Sequence, residues 1–191
     1  MSNPHTQYLS MTQVLWPEIE SGYARKILLA VTGSLLLALS AKIQITVLPV
    51  PLTLQTLAVI MIGTLFGPRL GVATVMLYLA EGMAGLPVFA GPLAGPAYFA
   101  GPTGGFLIGF VPAAWLAGTL AERGWDRRIV TTFALMILSA GLIYIPGAAW
   151  LATLIGAESA IAKGVLPFLL GDVIKAALAT AVLPLAWKLI K

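Results

Sequence analysis

Asp172 and Lys175 lie three residues apart in an otherwise apolar stretch, and their chemistry is that of a binding site. At this spacing an acid and a base share one face of a helix and reach each other. In lipid each charge is costly unless it is paired or faces a polar cavity. The carboxylate can accept N–H groups, and the ammonium can donate to an oxygen of a small polar ligand. The alternative is a mutual ion pair that only fixes helix packing.

Four further residues are candidate ligand contacts, because they are expected near the side of the protein where this site opens. Glu81 ends the third apolar stretch, where it either contacts a ligand or is a solvated acid at a helix end. Gln55 is a polar residue among apolar neighbours. Phe89 and Tyr98 belong to a long apolar connection. We expect these residues to contribute to ligand binding.

The sequence contains no recognisable catalytic set. Cysteine is absent, which excludes disulfides, thiol catalysis and thiolate metal sites, and His5 is the only histidine. No Walker A pattern occurs. The chain is therefore predicted not to be an enzyme and to use no cofactor or metal. If the protein transports a solute, it must draw its energy from an ion gradient or from a partner ATPase, because the chain has no nucleotide-binding motif of its own.

Composition places the protein in a lipid bilayer. Of 191 residues 59% are hydrophobic and 9% charged, and mean hydropathy is +0.97, whereas soluble domains carry about 25% charged residues. Residues 1–24 are predicted to be a polar tail, either a short interfacial helix or disordered, with no evident signal peptide. Residues 25–191 are predicted to form one all-α integral membrane domain of six transmembrane helices. These spans are predicted near residues 25–41, 53–67, 69–83, 103–121, 129–150 and 165–187.

Basic residues orient these helices. Six spans place both termini on one side, and eight basic residues lie there against two on the opposite side. The positive-inside rule therefore predicts cytoplasmic termini. Because these charges are scattered between apolar stretches, the net charge of +4 does not indicate nucleic acid binding. The eight are Arg25, Lys26, Arg69, Arg123, Arg127, Arg128, Lys188 and Lys191, and the two are Lys42 and Lys163.

The external connection from residue 84 to residue 102, between helices 3 and 4, has an unusual composition. It contains four glycines, four prolines and no charge. Glycine and proline prevent a long helix, while the aromatic residues are too apolar for a solvated linker. We predict a structured apolar loop, either a lid over a ligand or a plug that packs the outer face. Gln44, Thr53 and Gln55 of the first connection are expected near the same face, around a pocket that opens outward.

Small residues at Ala30, Ser34 and Ala38 recur every four positions along the first span. Such a stripe forms a groove in which another helix can approach closely. That helix belongs either to the same protein or to a partner.

Several segments of the chain, from about residue 25 to the C-terminus, closely resemble the BioY family. Members are the biotin-specific substrate-capture (S) components of energy-coupling-factor (ECF) transporters. The resemblance implies six helices, external capture of biotin, and a location in a bacterial or archaeal plasma membrane. It also implies a partner module of one transmembrane coupling protein and two ATPase subunits. The segments are 41–45, 49–58, 67–71, 78–91, 101–110 and 171–175, including Gly-Leu-Pro-Val-Phe-Ala-Gly and Gly-Pro-Thr-Gly-Gly.

The resemblance also implies roles for individual residues. Asp172 would accept the ureido N–H groups of biotin, and Lys175 would donate to an oxygen, most simply the ureido carbonyl. The loop residues would cover the ring system. An acid at position 81 would repel the biotin carboxylate, so Glu81 is expected toward the ureido end or outside the pocket.

Ala30, Ser34 and Ala38 match the small residues with which the first helix of the family docks on the coupling protein. Ser34→Trp is therefore expected to abolish assembly and to leave biotin binding intact. Three other functions remain open. They are a proton-coupled secondary transporter that uses Asp172 or Glu81, an intramembrane enzyme, and a capture protein for another vitamin.

Overall fold

The computed structural model describes residues 8–19, 22–45, 49–91 and 93–190. Over these residues the protein is helical, with one short β-hairpin. His5, Lys191 and the first part of the predicted tail lie outside the described residues. The elements are α1 Met11–Leu15, α2 Tyr23–Lys42, β1 Gln44–Ile45, β2 Leu52–Thr53, α3 Gln55–Met83, α4 Pro96–Ala100, α5 Gly104–Ala121, α6 Ile129–Ile155, α7 Ala157–Gly164 and α8 Leu166–Ile190, with single 3₁₀ turns at Pro17–Ile19 and Trp125–Arg127.

Among the described residues, five helical segments are long and apolar enough to cross a membrane. This confirms an all-helical protein with several membrane-spanning candidates. The observed helices lie close to the predicted spans because long apolar runs define them directly. The segments are Tyr23–Lys42, Gln55–Met83, Gly104–Ala121, Ile129–Ile155 and Ala157–Ile190, of which the last joins α7 and α8.

The α3 segment is not one straight helix. Gly67 has φ 79° and ψ 172°, which is outside the helical region, and Pro68 follows it. The Gln55 side-chain amide donates to the Tyr78 hydroxyl at 2.6 Å, although a straight helix would separate these residues by about 34 Å. The chain therefore reverses direction at Gly67. The two halves, 55–66 and 68–83, overlap in sequence with the stretches predicted as the second and third spans.

Glycines allow the helices to pack with their backbones in contact. A Cβ atom at Gly63 would lie 2.4 Å from the carbonyl oxygen of Ala114 in α5. A Cβ atom at Gly118 of α5 would lie 2.4 Å from the backbone nitrogen of Pro68. Small residues at such crossings are typical of membrane helices, whose association depends on close packing.

Both ends of the described chain meet at one end of the helix bundle. The backbone N–H of Tyr8 donates to the carbonyl of Glu122 at 2.8 Å, and Trp187 Nε1 donates to Asp126 Oδ2 at 2.6 Å. The guanidinium of Arg127 lies over the rings of Tyr8 and Trp187, 4.4 and 4.1 Å from the ring centroids. Arg127, one of the basic residues expected in the cytoplasm, therefore lies at this end.

The N-terminal segment contains a helical turn. Helix α1 begins with a capping box, in which the side chains of Ser10 and Gln13 bond each other's backbone N–H groups. Met11 is buried, and Thr12 Oγ1 donates to the carbonyl of Leu65 at 2.7 Å. Of the two alternatives for this segment, residues 11–15 therefore form a short helix, which packs on the bundle.

The opposite end of the bundle carries the β-hairpin and the connection 84–102. The hairpin pairs Gln44 with Thr53 and Ile45 with Leu52 in antiparallel register. The sequence did not indicate these strands because two-residue strands are too short to show an alternating pattern. The connection contains α4 and several buried or half-buried apolar side chains.

Candidate functional site

Asp172 and Lys175 form a buried ion pair near the first third of α8. Lys175 Nζ lies 3.0 Å from Asp172 Oδ1, and the two residues are 7% and 8% exposed, respectively. The i,i+3 spacing on a helix brings them together as the sequence implied. The structure therefore contains the mutual ion pair that was considered as the alternative to a binding site. Both side chains also contact residues of other helices.

Two hydroxyl groups from other helices complete the polar cluster. Lys175 Nζ donates to Thr56 Oγ1 at 2.7 Å, and Thr56 Oγ1 donates to Asp172 Oδ1 at 3.3 Å. The Tyr144 hydroxyl of α6 donates to Asp172 Oδ2. Because each charged atom has a partner, the cluster is stable inside the bundle. A carboxylate has about four lone-pair sites, so N–H donors of a ligand can bind Asp172 while the Tyr144 hydroxyl continues to hold it.

Lys175 also lines a cavity of about 50 Å³ that lies between the bundle and the connections at the hairpin end. Pockets that bind small molecules have volumes of roughly 300 Å³ or more, so this cavity is far too small to hold one. The residues that line it must move before a small molecule can bind. A second cavity of about 10 Å³ shares Thr56 and Lys175 with the first and is also lined by Asp172. The larger cavity is lined by Val50, Pro51, Thr53, Gln55, Thr56, Ala90, Tyr98, Thr103, Phe106, Leu107, Phe110, Ile143, Tyr144, Phe168 and Lys175.

Gln55 lines the cavity and connects it to the loop. Its side-chain amide donates to the hydroxyl of Tyr78 at 2.6 Å, and that hydroxyl donates to the carbonyl of Val88 at 3.0 Å. Gln55 is 4% exposed. The amide can make further hydrogen bonds through its oxygen and its second N–H, and the position of both depends on where the loop lies.

Phe89 and Tyr98 take different positions in the loop. Phe89 is fully buried and is not among the residues that line the cavity. It packs against Gly82, where a Cβ atom would lie 2.0 Å from the Phe89 ring. Tyr98 lines the cavity and stacks on Phe89 with centroids 4.8 Å apart. Phe89 thus supports the cavity wall that Tyr98 forms, rather than contacting the cavity itself.

The Tyr98 hydroxyl keeps its proton at ordinary pH. Burial raises the pKa of Tyr98 above its usual value, and a hydrogen bond with Thr103 partly offsets this effect. A neutral phenol both donates and accepts hydrogen bonds. Tyr98 can therefore offer an apolar ring and a polar group to a ligand.

Glu81 lies away from the cavity. Its Oε1 accepts a hydrogen bond from Ser34 Oγ of α2 at 3.0 Å, and it is not among the residues that line either cavity near Lys175. In the structure Glu81 thus lies outside the two cavities that Lys175 lines. A carboxylate in an apolar helix needs a donor, and the Ser34 hydroxyl supplies it.

For Ser34 this contact matches the alternative in which the small-residue stripe packs within the same protein. Ser34 is 0% exposed, and Ala38 packs against the core. Ala30 is only partly buried. A tryptophan at position 34 would have to displace α3, so the expected Ser34→Trp phenotype of intact binding no longer holds.

Thr56, Tyr144 and Tyr78 are site residues that the sequence reading missed. Thr56 directly follows Gln55, but a threonine in a membrane helix usually bonds its own backbone. Tyr144 lies well inside α6 instead of at a membrane boundary, where tyrosine is expected. This unusual position of Tyr144 is the feature of the sequence that could have indicated a role in the site. In the described part of the chain, no three or more His, Cys, Asp or Glu side chains are grouped so that they could hold a metal ion.

Comparisons with known proteins agree with this architecture. The model of the BioY family matches residues 8–191. A probable biotin transporter BioY of Pyrococcus horikoshii is 38% identical over 159 residues, which cover 83% of this chain and 94% of that protein. The biotin transporter BioY of Rhizobium etli is 38% identical over 151 residues, covering 75% and 81%. A crystal structure of the S-component for biotin from an ECF-type ABC transporter superimposes with a TM-score of 0.71 at 26% identity, covering 86% of this chain and 92% of that one.

Proposed function

The chain belongs to the BioY family, and on that premise we propose that it is the biotin-capturing component of a biotin uptake transporter. Its named relatives are transporters, so the chain is a transport protein rather than an enzyme. The observation that carries the proposal is the buried pair of Asp172 and Lys175 at a cavity under an apolar loop.

The chemistry of the cluster suits the ureido ring of biotin. This ring presents two N–H donors and one carbonyl acceptor. The Asp172 carboxylate accepts the N–H groups, and the Lys175 ammonium donates to the carbonyl oxygen. Biotin thereby replaces the internal hydrogen bonds of the pair, and neither charge is left unpartnered. The Phe106, Phe110 and Phe168 side chains of the cavity lining supply apolar contacts for the sulfur ring.

Glu81, Gln55 and the loop aromatics take supporting roles in this proposal. Gln55 and Tyr98 contact biotin directly, since both line the cavity. Phe89 acts through Tyr98. Glu81 binds Ser34 of α2 and stays outside the pocket, where its charge is kept from the biotin carboxylate.

In the membrane we propose six spans, with the two halves of α3 counted separately. The reversal at Gly67 supports this count, because each half has its own direction through the bilayer. Both termini then lie in the cytoplasm. The cavity and the loop 84–102 face outward, in the plasma membrane of a bacterial or archaeal cell.

The partners in this proposal are one transmembrane coupling protein and two ATPase subunits, which use the ATP. No cofactor takes part in capture itself. Helix α2 presents many exposed leucine, isoleucine and valine side chains, which lipid or a partner helix can cover. Ala30 lies on this helix and is only partly buried, so it remains our candidate for the docking position.

Ala30→Trp is expected to reduce assembly with the coupling module while biotin binding stays within twofold of wild type. The reason is that an indole at the docking groove prevents close helix approach, far from the cavity. Co-purification with the co-expressed module measures assembly, and calorimetry measures binding. Thr32→Trp on an exposed position of the same helix is the control. Assembly of Ala30→Trp at the wild-type level would show that Ala30 is not at the interface.

Calorimetric titration of the detergent-purified protein tests the proposed function. Tight, near-stoichiometric binding of biotin, with no comparable binding in a panel of other vitamins, is the expected result. Binding of another vitamin instead of biotin would reassign the ligand. Uptake by this chain alone that collapses with the proton gradient would favour a secondary transporter.

Tyr144→Phe is expected to weaken biotin binding by about three- to tenfold. The variant removes one hydroxyl that orients the Asp172 carboxylate, and a net hydrogen bond contributes about 1 kcal/mol. Calorimetry with biotin measures the change. An affinity equal to that of wild type would show that Tyr144 does not help to orient the carboxylate.

A further inference from the structure

Lys42 contacts the loop that borders the cavity. It is the last residue of α2, and its ammonium Nζ donates to the carbonyl oxygen of Phe89 at 2.7 Å. The carbonyl oxygen of Gly91 lies 3.5 Å from the same atom. In the sequence this lysine was only one of the basic residues outside the apolar spans. The structure thus gives it a specific contact 47 residues away.

The preceding carbonyl of the same loop is held by another helix. The Tyr78 hydroxyl, on the second half of α3, donates to the carbonyl oxygen of Val88 at 3.0 Å. Two consecutive carbonyls are therefore fixed by donors from two different helices. Backbone carbonyls must find donors when they leave water. Here a charged donor, which makes the stronger type of hydrogen bond, holds one of them.

The segment fixed in this way supports one wall of the cavity. Ala90 lines the cavity directly. The Phe89 ring is fully buried and stacks on Tyr98, which also lines the cavity. Since the cavity of about 50 Å³ is too small for a vitamin, some part of the lining must move when a ligand enters or leaves. The parts of this lining that belong to no long helix include the connection 84–102 and the hairpin residues Val50, Pro51 and Thr53.

We propose that Lys42 is a latch residue that holds residues 88–91 closed over the bound ligand and thereby slows its dissociation. This inference rests on the proposed function, in which the ligand is biotin. Lys42 is a positioning residue, because it acts through the loop backbone. A lysine in the last turn of a helix also interacts favourably with the helix dipole. That local role affects helix stability alone and predicts no change in the loop.

The first test measures biotin dissociation from the purified full-length protein by chasing radiolabelled biotin with unlabelled biotin. Lys42→Met is expected to dissociate about tenfold faster, which corresponds to about 1.4 kcal/mol, with little change in the association rate. Lys42→Arg, which keeps a charged donor, is expected to restore most of the slow dissociation. Lys163→Met removes an exposed lysine placed on the same predicted side and serves as the matched control. A change confined to the association rate would indicate electrostatic steering and would overturn the latch.

The second test does not require a ligand. In ligand-free protein, hydrogen exchange of the amides in residues 86–91 is expected to be faster in Lys42→Met than in wild type and in Lys163→Met. Unchanged exchange there would overturn the latch. If wild type fails to bind biotin, the proposed function fails, and this exchange measurement still decides whether Lys42 holds the loop. Faster exchange with an unchanged dissociation rate would show that the loop does not retain the ligand.

Discussion

Asp172→Asn is expected to weaken biotin binding by at least tenfold (about 1.4 kcal/mol). The carboxylate is the acceptor proposed for both ureido N–H groups, and an asparagine offers one carbonyl oxygen in its place. It also leaves the Lys175 ammonium without its anionic partner. Calorimetric titration of wild type and variant with biotin measures the effect. Tight binding that the substitution leaves unchanged would keep the function and reject this site.

The variant needs a control for folding, because removal of one partner from a buried ion pair costs about 3 to 5 kcal/mol. The double variant Asp172→Asn with Lys175→Met removes both charges. Replacement of a whole buried pair is often close to neutral for stability, so this protein is expected to fold and still fail to bind biotin. Glu158→Gln changes an exposed acid in α7 and is expected to bind as wild type does.

Gly63→Ala is expected to destabilise the folded protein by about 1 to 3 kcal/mol, the usual cost of overpacking. The added Cβ would lie 2.4 Å from the carbonyl oxygen of Ala114 and 2.8 Å from its Cα atom. Both are backbone atoms, so α3 and α5 must separate to make room. Thermal unfolding in detergent measures the loss as a lower midpoint.

Gly141→Ala is the matched control for this packing argument. Gly141 also lies inside a helix, but a Cβ atom there meets no atom within 4 Å. Alanine is the better helix former, so this variant is expected to be neutral or slightly stabilised. An equal loss of stability in both variants would show that the effect comes from the helix itself and not from the α3–α5 contact.

The sequence was sufficient for the parts of the fold that depend on neighbours in the chain. Long apolar runs predicted the helical segments, and Gly67-Pro68 predicted the break that the structure shows as a reversal. The three-residue spacing of Asp172 and Lys175 predicted that they lie within reach of each other. In each case the determining interactions span one helical turn or one run of side chains, so the local pattern is enough.

The rotation of each helix toward its neighbours could not be read in the same way. A soluble helix has a polar outer face that shows which side is buried. In a bilayer both the lipid-facing and the inward-facing residues are apolar, so this signal is lost. For that reason the hydrogen bond between Ser34 and Glu81 could not be predicted from the sequence.

The candidate site could therefore be predicted only in part from the sequence, and the rest required the tertiary structure. The sequence alone determined the apolar helical segments, the break at Gly67 within one of them, and the acid and base on one face of α8. Only the tertiary structure decided that Thr56 and Tyr144 bond Asp172 from 116 and 28 residues away, and that Lys42 reaches the loop. Those contacts follow from how the helices pack, and close packing of small residues leaves no periodic pattern in the chain that identifies the partner.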